Sequence, residues 1–117
     1  MKRFLLLLFF SAAALAADPA YKLDLGLSLR GGSLRVEPVV TGPAGKQLRY
    51  QLDIKRDAQG RSASTSQAGT VRLDNSGKGQ FAYNAVTVNK GDRYTVTAKV
   101  YDGDRLVASE QAVEPKQ

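Results

Sequence analysis

The sequence predicts an all-β chain, an immunoglobulin-like sandwich of about seven strands. Three observations carry that reading. Apolar residues recur at every second position in several segments, turn signals fall roughly every ten residues, and beyond the N-terminal segment no stretch sustains the ~3.6-residue period of a helix.

The chain opens with Lys2 and Arg3, runs through the apolar block FLLLLFFSAAALA and reaches the small-residue pattern Ala14, Leu15, Ala16. A positive start, an apolar run of roughly a dozen residues and an A-x-A site define a secretory signal peptide, and the run is short of the ~20 residues that span a bilayer. Residues 1–16 are therefore expected to be cleaved, leaving 17–117 as one domain in the periplasm with no stable membrane association. No cysteine follows the cleavage site, which excludes a lipid anchor, and none occurs elsewhere, so packing alone must stabilise the domain. Loss of Lys2 and Arg3 lowers the formal charge from +6 to +4. That modest excess serves either ordinary solubility or attraction to an acidic macromolecule.

The elements follow in order. YKLDLGLSLR alternates throughout, with Tyr21, Leu23, Leu25, Leu27 and Leu29 on one side. After Gly31-Gly32, SLRVEPVVT places Leu34, Val36 and Val40 on one face, and Pro38, which lacks a ladder donor, calls for an edge or bulge. TGPAGK turns into the third strand, QLRYQLDIKR, whose apolar Leu48, Tyr50, Leu52 and Ile54 alternate with Arg49, Gln51, Asp53 and Lys55. DAQGRSASTSQAG is small and polar, and reads as a long turn with a weak edge strand near Ser62 to Gln67, or as plain loop. TVRLD then turns Val71 and Leu73 inward. In QFAYNAVTV, Phe81 and Tyr83 point inward, and Val86 and Val88 follow a change of face. Finally RYTVTAKVY buries Tyr94, Val96, Ala98 and Val100, and RLVASEQAV returns after DGD, a hairpin signal.

An enzyme is not expected. The absence of histidine and cysteine removes Ser-His and Cys-His nucleophile systems and the commonest zinc ligands. Asp102 and Asp104 resemble a fragment of a calcium loop without the rest of its pattern, and a turn accounts for them. SASTS lacks the SxxK spacing of a serine-lysine mechanism. No metal and no cofactor is therefore expected. Export, together with the lack of a Lys/Arg run or an RNA-recognition aromatic motif, argues against a nucleic-acid partner.

The candidate site is a sheet face. In an immunoglobulin-like sandwich the third strand shares a sheet with the last two. Alternation then puts Arg49, Gln51, Asp53 and Lys55 on the same outer surface as Arg93, Thr95, Thr97, Lys99 and Tyr101. Arg49, Lys55, Arg93 and Lys99 are the candidate binding cations, and Tyr101 is the stacking or hydrogen-bonding anchor. The same pattern also suits a surface that is merely soluble and guarded against edge pairing. Arg30, Arg35 and Arg72, expected on the opposite sheet, are the second choice.

The order of segments from Ser33 to Pro115 resembles the CsgC/CsgH family of small periplasmic proteins that suppress premature amyloid assembly of curli subunits. RVEPVVT is followed by LRYQLDIKR, by the Ser/Gln-rich GRSASTSQAGT, by VNKGDRYTVTAKVYDGDRL and by ASEQAVEP. The CsgC branch carries a Cys-x-Cys pair where this chain has Lys46, Gln47 and Leu48, so the cysteine-free CsgH branch is the closer likeness. The resemblance implies an immunoglobulin-like sandwich that acts as an anti-amyloid chaperone; a monomer is expected, with an unfolded or oligomeric curli-type subunit as its partner. A structural or adhesive surface module, such as a pilus accessory subunit or a carbohydrate-binding sandwich, is the alternative.

Overall fold

The computed structural model describes residues 18–114; the expected signal peptide lies outside the described residues. Seven chain segments form two antiparallel layers. One layer is a continuous four-stranded sheet. Its strands are β5 (Gln47–Ala58), β6 (Arg61–Arg72), β9 (Arg93–Asp102) and β10 (Arg105–Glu114), in the order β10-β9-β5-β6.

The other layer is three segments wide and broken across its middle. Its upper half joins β1 (Lys22–Asp24), β4 (Val39–Thr41) and β7 (Lys78–Gln80), and its lower half joins β2 (Leu27–Arg30), β3 (Ser33–Val36) and β8 (Asn84–Thr87). Every segment breaks at the same level for a local reason. Gly26 (φ 60°) separates β1 from β2, Pro38 separates β3 from β4, and Ala82 (φ 50°) separates β7 from β8. Single bonds bridge the break, from Glu37 N–H to Gly26 O (3.3 Å) and from Phe81 N–H to Pro38 O (3.1 Å). Pro38 thus sits in the central segment of its layer, not at an edge, because the ladder is interrupted where its missing donor would be needed.

Period-two alternation builds the core. Leu34, Val36 and Val40 from one layer face Leu48, Leu52, Val96, Ala98 and Val100 from the other, and all are almost completely buried. Tyr94 spans the two layers, its hydroxyl donating to Thr87 O at 3.0 Å. Tyr50 lies over Phe81 with ring centroids 4.6 Å apart, in the space opposite Gly69.

Three expectations are corrected. Leu29 is 46% exposed, because it pairs with Leu34 from a four-residue edge strand that runs past the core. Tyr83 is 55% exposed, because the left-handed turn at Ala82 changes the face one residue earlier than alternation alone suggests. The polar stretch after Asp57 is neither a long turn nor a short strand. Gln59 (φ 50°) and Gly60 (φ 81°) make a two-residue turn, and all twelve residues of β6 pair with β5 without a register shift.

Candidate functional site

The outer face of the four-stranded sheet is built by pairing register. Arg49 stands opposite Tyr101, Gln51 opposite Lys99, Asp53 opposite Thr97, Lys55 opposite Thr95 and Asp57 opposite Arg93. All five expected residues, Arg49, Lys55, Arg93, Lys99 and Tyr101, therefore share one face of two adjacent strands. From Arg49 to Lys55 the face runs roughly 20 Å along β5 at ~3.3 Å per residue. β10 adds Ser109, Gln111 and Val113 beside Lys99, Thr97 and Thr95, and β6 adds Ser62, Ser64, Ser66 and Thr70 on the other flank.

Two residues were not assigned to this surface from sequence. Arg72 pairs with Gln47 and so joins the same face as Arg49; only Arg30 and Arg35 lie on the opposite layer. The reason is the continuity of β6, which carries the alternation from Ser62 through Arg72 without a break. Asp57 is the second newcomer, since β5 continues past Arg56 and the odd-position alternation reaches it. The face therefore holds five cations, Arg49, Lys55, Arg72, Arg93 and Lys99, against Asp53 and Asp57.

The hydrogen bonding leaves the positive charge uncompensated. Asp53 accepts from Gln51 Nε2 (3.2 Å) and from the Ser66 hydroxyl, and Asp57 accepts from Ser62 Oγ (3.0 Å). Among the described residues the ion pairs are Lys46 with Asp102, Arg56 with Asp92 and Arg105 with Asp18; none engages a cation of the face. Arg49 is held instead by a bond to Gly103 O (3.2 Å) and by the Tyr101 ring, whose centroid is 4.8 Å from the guanidinium carbon. Tyr101 is half-buried and serves as a platform for Arg49. Lys55 and Arg93 are exposed and Lys99 is half-buried.

Each end of the sandwich is pinned by an ion pair. At one end Lys46 meets Asp102 at 3.0 Å, in the DGD turn whose positive φ falls on Gly103. That contact raises the Lys46 pKa, and burial followed by Asp102 raises that of Tyr21. At the other end Arg56 points to the core side of β5 and reaches the buried Asp92 at 3.3 Å. The Asn89 N–H, and then Arg56, hold the Asp92 carboxyl below the usual carboxylate range against the opposing effect of burial. An open cleft of about 630 Å³ lies beyond this pair, bordered by Arg61, Asn89 and Lys90.

No protein-family model matches the sequence, and no curated protein matches it either. Two solved structures share its architecture. The solution structure of CsgH from R. palustris superposes with a TM-score of 0.59 over 80% of this chain and 89% of that one, at 15% identity. The curli protein CsgC from E. coli superposes with a TM-score of 0.60 over 82% of this chain and 99% of that one, at 17% identity. The chain has the CsgC/CsgH fold. The cationic outer face is read from this chain's own residues and pairing register.

Proposed function

We propose that this protein is an exported, chaperone-like inhibitor that prevents premature amyloid polymerisation of a curli-type subunit, acting by binding through its basic sheet face. The observation that carries the reading is the convergence of Arg49, Lys55, Arg93 and Lys99 on one face with no carboxylate partner within ion-pair distance among the described residues, on a chain with the CsgC/CsgH fold. An amyloid-prone subunit is disordered and rich in amide side chains, and its assembly needs strands to stack with their backbones paired. A broad positive surface meets such a chain by long-range attraction, raises the encounter rate when the chain is acidic, and holds it too weakly to form a lasting complex. Rare nuclei are then disrupted at low ratios of inhibitor to subunit.

The test is the thioflavin-T lag time of a curli subunit with and without the protein. The protein lengthens the lag at low salt, and the doubly reversed variant Lys55→Glu/Lys99→Glu returns it toward that of the subunit alone while keeping the circular-dichroism spectrum of the sandwich. An unchanged lag at low salt with the native protein would reject the function. A fully active reversed variant would reject the face.

A further inference from the structure

Among the described residues the sandwich leaves one long edge unguarded. β10 ends its sheet with three protective devices: a bulge between Leu106 and Ala108, a backbone bond from Asp18 N–H to Val107 O (3.1 Å), and Glu110, which pairs with Ala98 and so places a charge on the core-facing side. The outer strands of the broken layer are only three or four residues long. β6 differs from all of these. It is twelve residues long, unbulged and free of proline, and its first six residues are exposed on both sides.

The turn geometry says which backbone groups are free. With Gln59 and Gly60 both at positive φ, the flanking Ala58 and Arg61 form a mutually hydrogen-bonded pair, and bonded pairs then recur at every second residue. Ser62, Ser64, Ser66, Ala68 and Thr70 consequently turn their N–H and C=O groups away from β5. Among the described residues no backbone bond reaches those groups. The Ser62 and Ser66 hydroxyls lean back to Asp57 and Asp53 on β5, which keeps the edge sterically open.

We propose that the β6 edge accepts an extended polar segment of the client chain by strand addition, the segment being rich in Ser, Thr, Asn and Gln and carrying an acidic residue near its ends. The side chains of β6 select for that chemistry. From Arg61 to Gly69 the strand offers hydroxyls, alanines and one amide, Gln67, already engaged in a reciprocal pair with Asn84 (3.1 and 3.3 Å). Hydroxyl and amide side chains across such a pair reinforce the backbone ladder, whereas an apolar strand would find no pocket. Arg61 and Arg72 bracket the strand and β6 contains no acid, so antiparallel pairing with a second copy would gather cations near both ends with no acid to offset them. An acidic client is favoured and self-association is opposed.

This deepens the proposed function by giving the captured chain a docking line beside the basic face, and it rests on that function only for the source of the strand. The probe is a synthetic Ser/Gln/Asn peptide of about twelve residues, the length of β6, with an aspartate near each end. Amide exchange followed by NMR slows on adding the peptide at Ser62, Ser64, Ser66, Ala68 and Thr70, and stays unchanged at Ala63, Thr65 and Gln67, which β5 already protects. The variant Ser64→Pro/Ser66→Pro removes two free-edge donors without touching the β5 ladder and weakens peptide binding by roughly tenfold or more. Thr65→Glu, which adds an acid to the underside of the edge without proline, weakens it in the same direction. Unslowed exchange at the five amides, undiminished binding by these variants, or slowing of the same amides by concentrated protein without peptide would each overturn the proposal. Lag-time assays separate the two claims. If the prolines leave the lag effect intact while cation reversal removes it, the edge is wrong and the function stands; if the native protein gives no lag effect yet the peptide protects the edge, the function is wrong and the edge stands.

Discussion

Arg49 differs from the other cations of the face because it is held in place: its guanidinium rests on Tyr101 and donates to Gly103 O, while Lys55 and Arg93 extend freely into solvent. A double-mutant cycle between Arg49→Ala and Tyr101→Ala should report a coupling of about 0.5 to 1 kcal/mol in unfolding free energy, the range for a solvent-exposed cation over a ring. Zero coupling would mean that the stacked geometry is not maintained in solution. Among the described residues Asp92 is the buried charged side chain. Its folded pKa lies below the unfolded value, so its contribution is complete above about pH 5 and drains away as pH falls through the depressed value. Asp92→Asn should therefore lower the denaturant midpoint at pH 7 and make the acid limb shallower. It should not flatten it, because Asp18 and Asp74 are depressed as well, by the Ala20 N–H and by Ser76 first of all. An acid limb identical to that of the native protein would refute this role.

At the scale of elements, Gly69 decides how β5 and β6 meet. A Cβ there would fall 2.8 Å from Tyr50 Oη and 3.0 Å from Cζ, so the ring that lies across β6 would have to move off Phe81. Gly69→Val should cost about 1–3 kcal/mol and reduce the near-ultraviolet tyrosine signal, which unfolding by urea and circular dichroism can check. Leu34 in β3, fully buried between the layers, should cost about 2–5 kcal/mol as Leu34→Ala. The β5 pattern was legible without any structure, since a two-sided strand writes its burial as strict alternation and Leu48, Leu52 and Ile54 all lie in the core. β6 was not. Its small polar residues bury little surface and carry no alternation of hydrophobicity, so nothing in the string distinguished a twelve-residue strand from a loop. What orders it is the ladder to β5 and a tight turn whose first residue, Gln59, takes the left-handed conformation despite being neither Gly, Asn nor Asp.

For the molecule as a whole, five face cations, two satisfied acids and a formal charge of +6 for the whole chain make the proposed activity a matter of field as much as contact. The screening length falls from about 10 Å at 0.1 M salt to about 3 Å at 1 M. The lengthening of the lag time should accordingly shrink severalfold over that range, while the unfolding midpoint, which depends on the apolar core, should not fall with it. A lag effect insensitive to salt would point to contact at the edge or core side in place of the basic face.

By itself the sequence determined the fold class, the absence of any thiol or imidazole chemistry, and the side of β5 and β9 on which Arg49, Lys55, Lys99, Arg93 and Tyr101 lie, because period-two alternation is a local property of the strand. Only the tertiary structure decided that Arg72 and Asp57 join that surface, that the other layer breaks across its middle, and that the edge strand expected near Ser62 to Gln67 runs unbroken for twelve residues. Those are matters of which strand lies beside which and in what register, and pairing across distant segments is set by the packing of the whole core rather than by any one stretch of chain.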